Sequence, residues 1–261
     1  MSAALLACGG WGKAAKPLTV RLETALAPRT ETSSPIRTLE MLELLAEMGA
    51  MGHMAISERL GIPKSTASAL LKSLQGAGFI TRDEDRKFSL SPRVLRLSEG
   101  FLAHRQWLAP LLPLLEQLRD ETNETTFLVE RRDDSRVVVA RRLVREGLSF
   151  TVPVGDVAPL HGTAGGHALC RPGEVLTDAD GRPEPVEISA QGVCYLPSAI
   201  VPGVGSFAVA LRVPPGVPPL AFSLAMPVSR MTATIRAGIE AALSALRDEA
   251  EEALGTSHSS R

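Results

Sequence analysis

The chain has 261 residues, 44% hydrophobic and 22% charged, a balance that suits a water-soluble globular protein with two medium domains. A formal net charge of −1 excludes nucleic-acid binding driven by overall charge, so such contact needs a local basic patch, and only 4% aromatic residues argues against stacking platforms for single strands. Cys8, Cys170 and Cys194 make an odd total with no C-x-x-C pair, which argues for a reducing cytoplasm over a disulfide framework, and no run reaches the roughly 18–20 apolar residues of a membrane span.

Residues 1–34 show no sustained periodicity and finish in PRTETSSP, so they read as a disordered leader. The start, MSAALLACGGWG, has a short apolar core without a basic residue before it and reads as an extension rather than an export signal. From Ile36 the residues Leu39, Leu42 and Leu45 form a helical stripe that runs to about Met48 and stops at Gly49. Met51 to Met54 reads as a turn and Ala55 to Leu60 as a short second helix. Gly61 breaks it, and Pro63 fits the first turn of a third helix, where a missing N–H costs nothing.

In that third helix, IPKSTASALLKSLQGA, the residues Ala67, Leu70, Leu71 and Leu74 fall on one buried stripe, while Ser65, Ser68, Ala69 and Lys72 gather opposite. Thin, polar, weakly basic faces suit a helix in a DNA major groove, and they also suit an ordinary surface helix. The neighbours favour the first reading. Two helices joined by a Gly-containing turn form a helix-turn-helix pattern. The hairpin that follows, Phe79–Thr81 and Lys87–Leu90 about the turn Asp83–Arg86, reads as a wing carrying Arg82, Arg86 and Lys87 toward the phosphate backbone. A solvated hairpin tip fits the three acids of that turn as well. Between residues 33 and 98 nine basic residues face seven acidic ones, a local balance of +2.

With these elements in place the chain resembles the IclR family of bacterial transcriptional regulators. The matching residues are Leu60, Pro63, Lys64, Ser65, Thr66, Leu70, Leu71, Leu74, Gly78, Phe79, Arg82, Leu90 and Arg93. The resemblance implies an α+β protein with a winged helix-turn-helix at residues 35–93, a linker and dimerisation helix at 94–107, and a GAF-like effector-binding domain of antiparallel sheet and flanking helices at 108–254. A polar tail over 255–261 reads as disordered. DNA contacts carried over in this way fall on Lys64, Ser65, Thr66, Ser68, Lys72, Arg82, Arg86 and Lys87. Ala69 stands where the family often has Arg, so the operator sequence cannot be inherited.

Farther along, LAPLLPLLEQLRDET reads as a helix with Leu111, Leu114, Leu115 and Leu118 on its apolar side. Strands follow at Thr125–Glu130, Arg136–Leu143 and Leu148–Val154, the second central because it is nearly continuous Val and Ala. APLHGTAGGHALC resembles the family's effector loop, which implies effector contacts at Leu160, His161, Gly162, Thr163, Ala164 and Gly165, joined by Ser206 and Ser223. Exposed N–H groups at the start of a helix there suit a small organic acid, and a tight glycine turn needed for packing explains the residues equally well. His167 stands where the family usually has Lys. Beyond Cys170 the family has several tens of residues with two helices, whereas this chain has the short run RPGEVLTDADGRPEPVE, which predicts that part of the effector site's wall is absent. Leu196, Pro197, Ser198 and Ala199 replace the family's acidic stretch. Strands at Ser206–Val213 and Leu220–Met226 and a helix over Ile235–Leu254 complete the chain.

No G-x-S-x-G elbow, Walker motif or dinucleotide glycine motif is present, so no enzyme and no cofactor are expected. His167 and Cys170, at i and i+3, lack the further ligands a structural zinc takes, and no metal is expected. The expectation is a cytoplasmic, homodimeric or tetrameric repressor that binds double-stranded operator DNA and answers a small-molecule effector. A regulator with a ligand-independent C-terminal domain, or an enzyme fused to a winged helix, are the alternatives.

Overall fold

The computed structural model describes residues 19–21, 33–145, 149–178, 180–197 and 201–258. The chain divides into two compact units, Ala25–Gln106 and a second built from the residues up to Thr24 together with Trp107 onward. Most of the stretch read as a leader lies outside the described residues. Within it, strand β1 (Thr19–Arg21) pairs parallel with Ser149–Thr151, so those three residues join the C-terminal unit instead of standing free.

In the N-terminal unit, α1 (Ser34–Met48) ends at Gly49, whose φ of 74° suits a residue without a side chain. β2 (Met51–Gly52) follows, then α2 (His53–Arg59), α3 (Lys64–Gly76), β3 (Ile80–Arg82) and β4 (Lys87–Leu90). The turn expected at Met51–Met54 is a third strand, because Met51 and Gly52 pair with Phe88 and Lys87. Pro63 caps α3 from outside rather than lying within its first turn. Met41, Leu45, Ile56, Ala67, Leu70, Leu71, Leu74, Ile80 and Phe88 form one core, so the apolar stripe expected on α3 is the buried one. α4 (Leu95–Ala103) closes this unit.

The C-terminal unit begins with α5 (Leu111–Thr122), which leads into β5 (Thr125–Arg132), β6 (Ser135–Arg142), β7 (Ser149–Thr151) and β8 (Val157–Pro159). Leu148, expected to start the β7 strand, lies outside the described residues. A five-residue helix α6 (Ala164–Ala168) precedes β9 (Glu187–Ile188), β10 (Cys194–Pro197), β11 (Val204–Leu211), β12 (Leu220–Pro227) and the long α7 (Ala233–His258). α7 therefore runs four residues past the expected end, into the segment read as tail, and residues 259–261 lie outside the described set.

Seven strands form one antiparallel sheet in the order β8-β6-β5-β12-β11-β10-β9. Helices α5 and α7 cover one face through Leu111, Leu115, Leu118, Ile239, Leu243 and Leu246 against Leu128, Phe207 and Phe222. The loop after β8 and α6 cover the other, against Phe127, Val129, Val138, Ala221 and Ala225. A sheet covered on both faces requires apolar residues at every position, which explains the unbroken Val and Ala of β6.

Candidate functional sites

The first candidate site is the outer face of α3. Lys64, Ser65, Ser68 and Lys72 are exposed, Thr66 is half-buried, and the thin Ala69 lies open among them. The turn that presents this face is tied by two hydrogen bonds between Ser57 and Ile62. Gly61 adopts φ 60°, the Ile62 N–H donates to the Ser57 carbonyl, and buried Ser57 Oγ donates to the Ile62 carbonyl at 2.7 Å. His53, which no motif in the sequence singles out, approaches this face: its Nε2 lies 2.9 Å from Ser68 Oγ and 3.1 Å from the Lys64 carbonyl.

In the wing, Asp83 ties the turn by accepting the Lys87 N–H at 2.7 Å, so one of its three acids serves the backbone. Arg86 sits at the tip with φ 61°. Arg82 lies over the Phe88 ring, 5.2 Å from its centroid, and donates to the Arg86 carbonyl at 3.5 Å. Arg86 and Lys87 point into solvent.

The second candidate site is a cavity of about 50 Å³ under the loop after β8, lined by Phe127, Val129, Arg136, Val138, Phe150, Val152, Thr163, Gly165, Ser206, Ser223 and Ala225. The structure thus brings Thr163, Gly165, Ser206 and Ser223 together, while Leu160, His161, Gly162 and Ala164 do not line it. Strand alternation explains the two serines, since Ser206 pairs with Ala225 and Ser223 with Ala208. Gly165 leaves the cavity open: a methyl group there would meet Val129 Cγ2 at 3.3 Å and Ser223 Oγ at 3.5 Å.

The exposed amides expected at the start of α6 are already bonded within the protein. Ala164 N–H donates to Ser206 Oγ (3.0 Å), Gly166 N–H to Thr163 Oγ1 (3.1 Å) and Gly162 N–H to Glu184 Oε2 (2.8 Å). The polar group the sequence reading missed is Arg136. It is buried beside Asp156, Nη1 to Oδ2 3.2 Å, and burial lowers its pKa against the pull of Asp156. A charged residue heading the apolar run VVVA was the available signal.

The short run after Cys170 is a strap rather than a gap. Arg131 grips Glu174 with two bonds, 2.5 and 2.8 Å, and those hydrogen bonds hold the Glu174 carboxyl down to about 2. Glu184 accepts from Gly162 and lies 2.7 Å from His167 Nε2, with both side chains buried. Neither carboxylate lines the cavity; the run braces the loop beside it. His167 and Cys170 gather no further ligand: among the described residues no three His, Cys, Asp or Glu form a metal-holding group. No described helix is long and apolar enough to cross a membrane.

Residues 34–84 match the IclR helix-turn-helix domain model. The transcriptional repressor IclR of Escherichia coli (strain K12) is 27% identical over 150 residues, 56% of this chain and 55% of that protein. The chain thus spans about half the length of the curated relatives it matches. Two solved structures share the fold: an IclR transcriptional regulator from Alicyclobacillus acidocaldarius (TM-score 0.59, 22% identity, 85% of this chain and 99% of that one), and an IclR homolog from Microbacterium hydrocarbonoxydans complexed with 4-hydroxybenzoate (TM-score 0.59, 19% identity, 85% and 100%). Residues 34–84 thus match an IclR-type helix-turn-helix domain, and the chain shares the fold of these two solved structures.

Proposed function

We propose that the protein is a transcriptional regulator, acting as a repressor, that lays α3 in the major groove of a double-stranded operator with the wing beside it. The observation that carries this reading is the exposed α3 face, where Lys64, Ser65, Ser68 and Lys72 stand around a bare Ala69 on a helix whose opposite side is fully packed. Thin side chains let the helix backbone approach the bases while the two ammonium groups reach phosphates. Arg86 and Lys87 add sequence-independent affinity from the wing. No catalytic role is assigned to the chain. Its setting is the cytoplasm, where its DNA partner lies.

The working form is a homodimer on a pseudo-palindromic site. Its support is α4, which exposes Leu95, Leu97, Phe101 and Leu102, each at least 40% accessible on nine residues. An apolar surface of this density on a short helix calls for a partner.

The C-terminal cavity is the input. Arg136 and Thr163 offer donors for a carboxylate, Ser206 and Ser223 add theirs once they leave the Leu196 and Phe207 carbonyls they serve, and Phe127, Val129 and Val152 give an apolar surround, a combination that suits a small organic acid. At about 50 Å³, well below the roughly 300 Å³ at which ligand pockets begin, the cavity must widen to admit an organic acid. Widening separates two states of the domain, and a ligand that prefers one of them shifts the balance. Titration of the full chain against duplex DNA flanking its own gene, with and without small aromatic and aliphatic acids, tests the reading. Sequence-selective binding that an acid weakens is the expected result. Equal affinity for all duplexes would sink it.

A further inference from the structure

His53 lies against the face assigned to DNA without belonging to it. Its Nε2 is within hydrogen-bond distance of the Lys64 carbonyl and of Ser68 Oγ. A carbonyl oxygen only accepts, so Nε2 must carry a proton, and a protonated ring nitrogen has no lone pair left for the serine. Ser68 Oγ therefore faces His53 as an acceptor, and its own proton turns elsewhere. Inside a helix the usual acceptor is the carbonyl four residues back. Ser73 in the same helix follows that habit, donating to the Ala69 carbonyl at 3.0 Å. For Ser68 the equivalent carbonyl belongs to Lys64, which His53 already holds. What remains is the open side of α3, where Ser68 is exposed one turn from Lys64 and one turn from Lys72.

We propose that His53 is a positioning residue that fixes Ser68 as a hydrogen-bond donor toward DNA, so that each half-site carries one position selected for an acceptor edge. A free hydroxyl donates or accepts with equal ease, and meets any base. A serine with one of its two lone pairs held by His53 and its proton turned outward favours acceptors: guanine O6 and N7, adenine N7 and thymine O4 accept, whereas cytosine N4 and adenine N6 donate. The inference rests on the DNA-binding reading above.

The test uses the full chain. Sites are selected from a random duplex library, and affinities are then measured on the selected site and its single-base variants for wild type, His53→Ala, Ser68→Ala, the double variant and His53→Gln. Glutamine keeps an N–H donor in the side chain. His53→Ala is expected to weaken the selected site about fivefold, as for one oriented hydrogen bond, and to relax one position per half-site. The double variant should bind no worse than Ser68→Ala, because His53 acts through that serine. His53→Gln should restore the preference, and the salt dependence should be unchanged in all variants. Additive losses, unaltered base preferences, or a uniform loss across sequences with a shallower salt slope would each overturn the proposal, the last by making Ser68 a phosphate contact. Should His53→Ala fail to fold, Ser68→Ala must still relax the position and His53→Gln must still match wild type. If wild type selects no site, the DNA-binding reading itself fails. A selective wild type with indifferent variants sinks the positioning role alone.

Discussion

The outer face of α3 and the loop between β8 and α6 are both rich in small and polar residues, yet their hydrogen-bonding groups are disposed in opposite ways. On α3, Lys64, Ser65 and Lys72 face solvent, and one histidine braces the surface from the side. In the loop, the amides of Gly162, Ala164 and Gly166 already have acceptors, and Glu184 closes over His167. The first surface can meet a large polyanion as it stands. The second must give up internal bonds before it admits a ligand, so occupancy there is coupled to a change of shape.

The sharpest way to break this contrast is Gly166→Ala. A Cβ at that position would fall 1.7 Å from the Leu160 carbonyl oxygen, a backbone atom that cannot move aside. The expected cost is about 3 kcal/mol or more, read as loss of hydrogen-exchange protection in the C-terminal unit while α1 to α3 keep theirs. Wild-type protection throughout would show that the loop is not so tightly built. Next in size, Lys64→Ala with Lys72→Ala should lower the slope of log affinity against log salt by about two, one for each phosphate left without its ammonium partner. An unchanged slope would remove both lysines from the backbone-binding set and leave α3 an ordinary surface helix.

Two carboxyls sharpen the comparison inside the C-terminal unit, because their pH responses run in opposite directions. Glu124 is pushed up to about 7 by burial, with Arg230, 2.6 Å away, pulling the other way. Its native form holds the proton more tightly than the unfolded chain, whose carboxyl titrates near 4.5. The contribution is complete below that value and declines as pH rises through about 7. Glu174, held down to about 2 by Arg131, behaves in reverse: its contribution is present above 4.5 and is lost as pH falls toward 2. Denaturation profiles across pH should therefore flatten on the neutral side in Glu124→Gln and on the acid side in Glu174→Gln. Identical flattening in both would contradict the assignment.

The smallest expected change in stability belongs to Gly165→Ala. Its Cβ would touch Val129 and Ser223 side chains at 3.3 and 3.5 Å, an approach that small shifts relieve, so stability should change by about 1 kcal/mol or less. Because the methyl group enters the cavity, the variant should bind DNA normally and lose its response to acids. A retained response would move the effector elsewhere.

The helical half was legible because its core repeats at three and four residues: Ala67, Leu70, Leu71 and Leu74 announce α3, and Gly76 with Gly78 mark its end. Met51 and Gly52 escaped because a two-residue strand has no period, and only Phe88 and Lys87 define it. The strap escaped for a different reason. Glu174 and Glu184 lie in an irregular Pro- and Gly-rich run, and their partners Arg131, 43 residues away, and His167, 17 away, are set by the sheet and not by spacing. Likewise Arg136 reads as a strand flank until Asp156 is brought beside it. The residues proposed to face DNA lie on one helix and the adjoining hairpin, whereas the cavity is assembled from several strands and a loop.

The backbone at the wing tip, where Arg86 adopts φ 61°, is the kind that glycine or asparagine takes without penalty and a long side chain takes at a cost of about 1 kcal/mol. A screen for heat-tolerant variants would accordingly recover Arg86→Gly or Arg86→Asn. Such a protein would be sturdier in the test tube and poorer at holding duplex, a direct trade of function for robustness at a single turn.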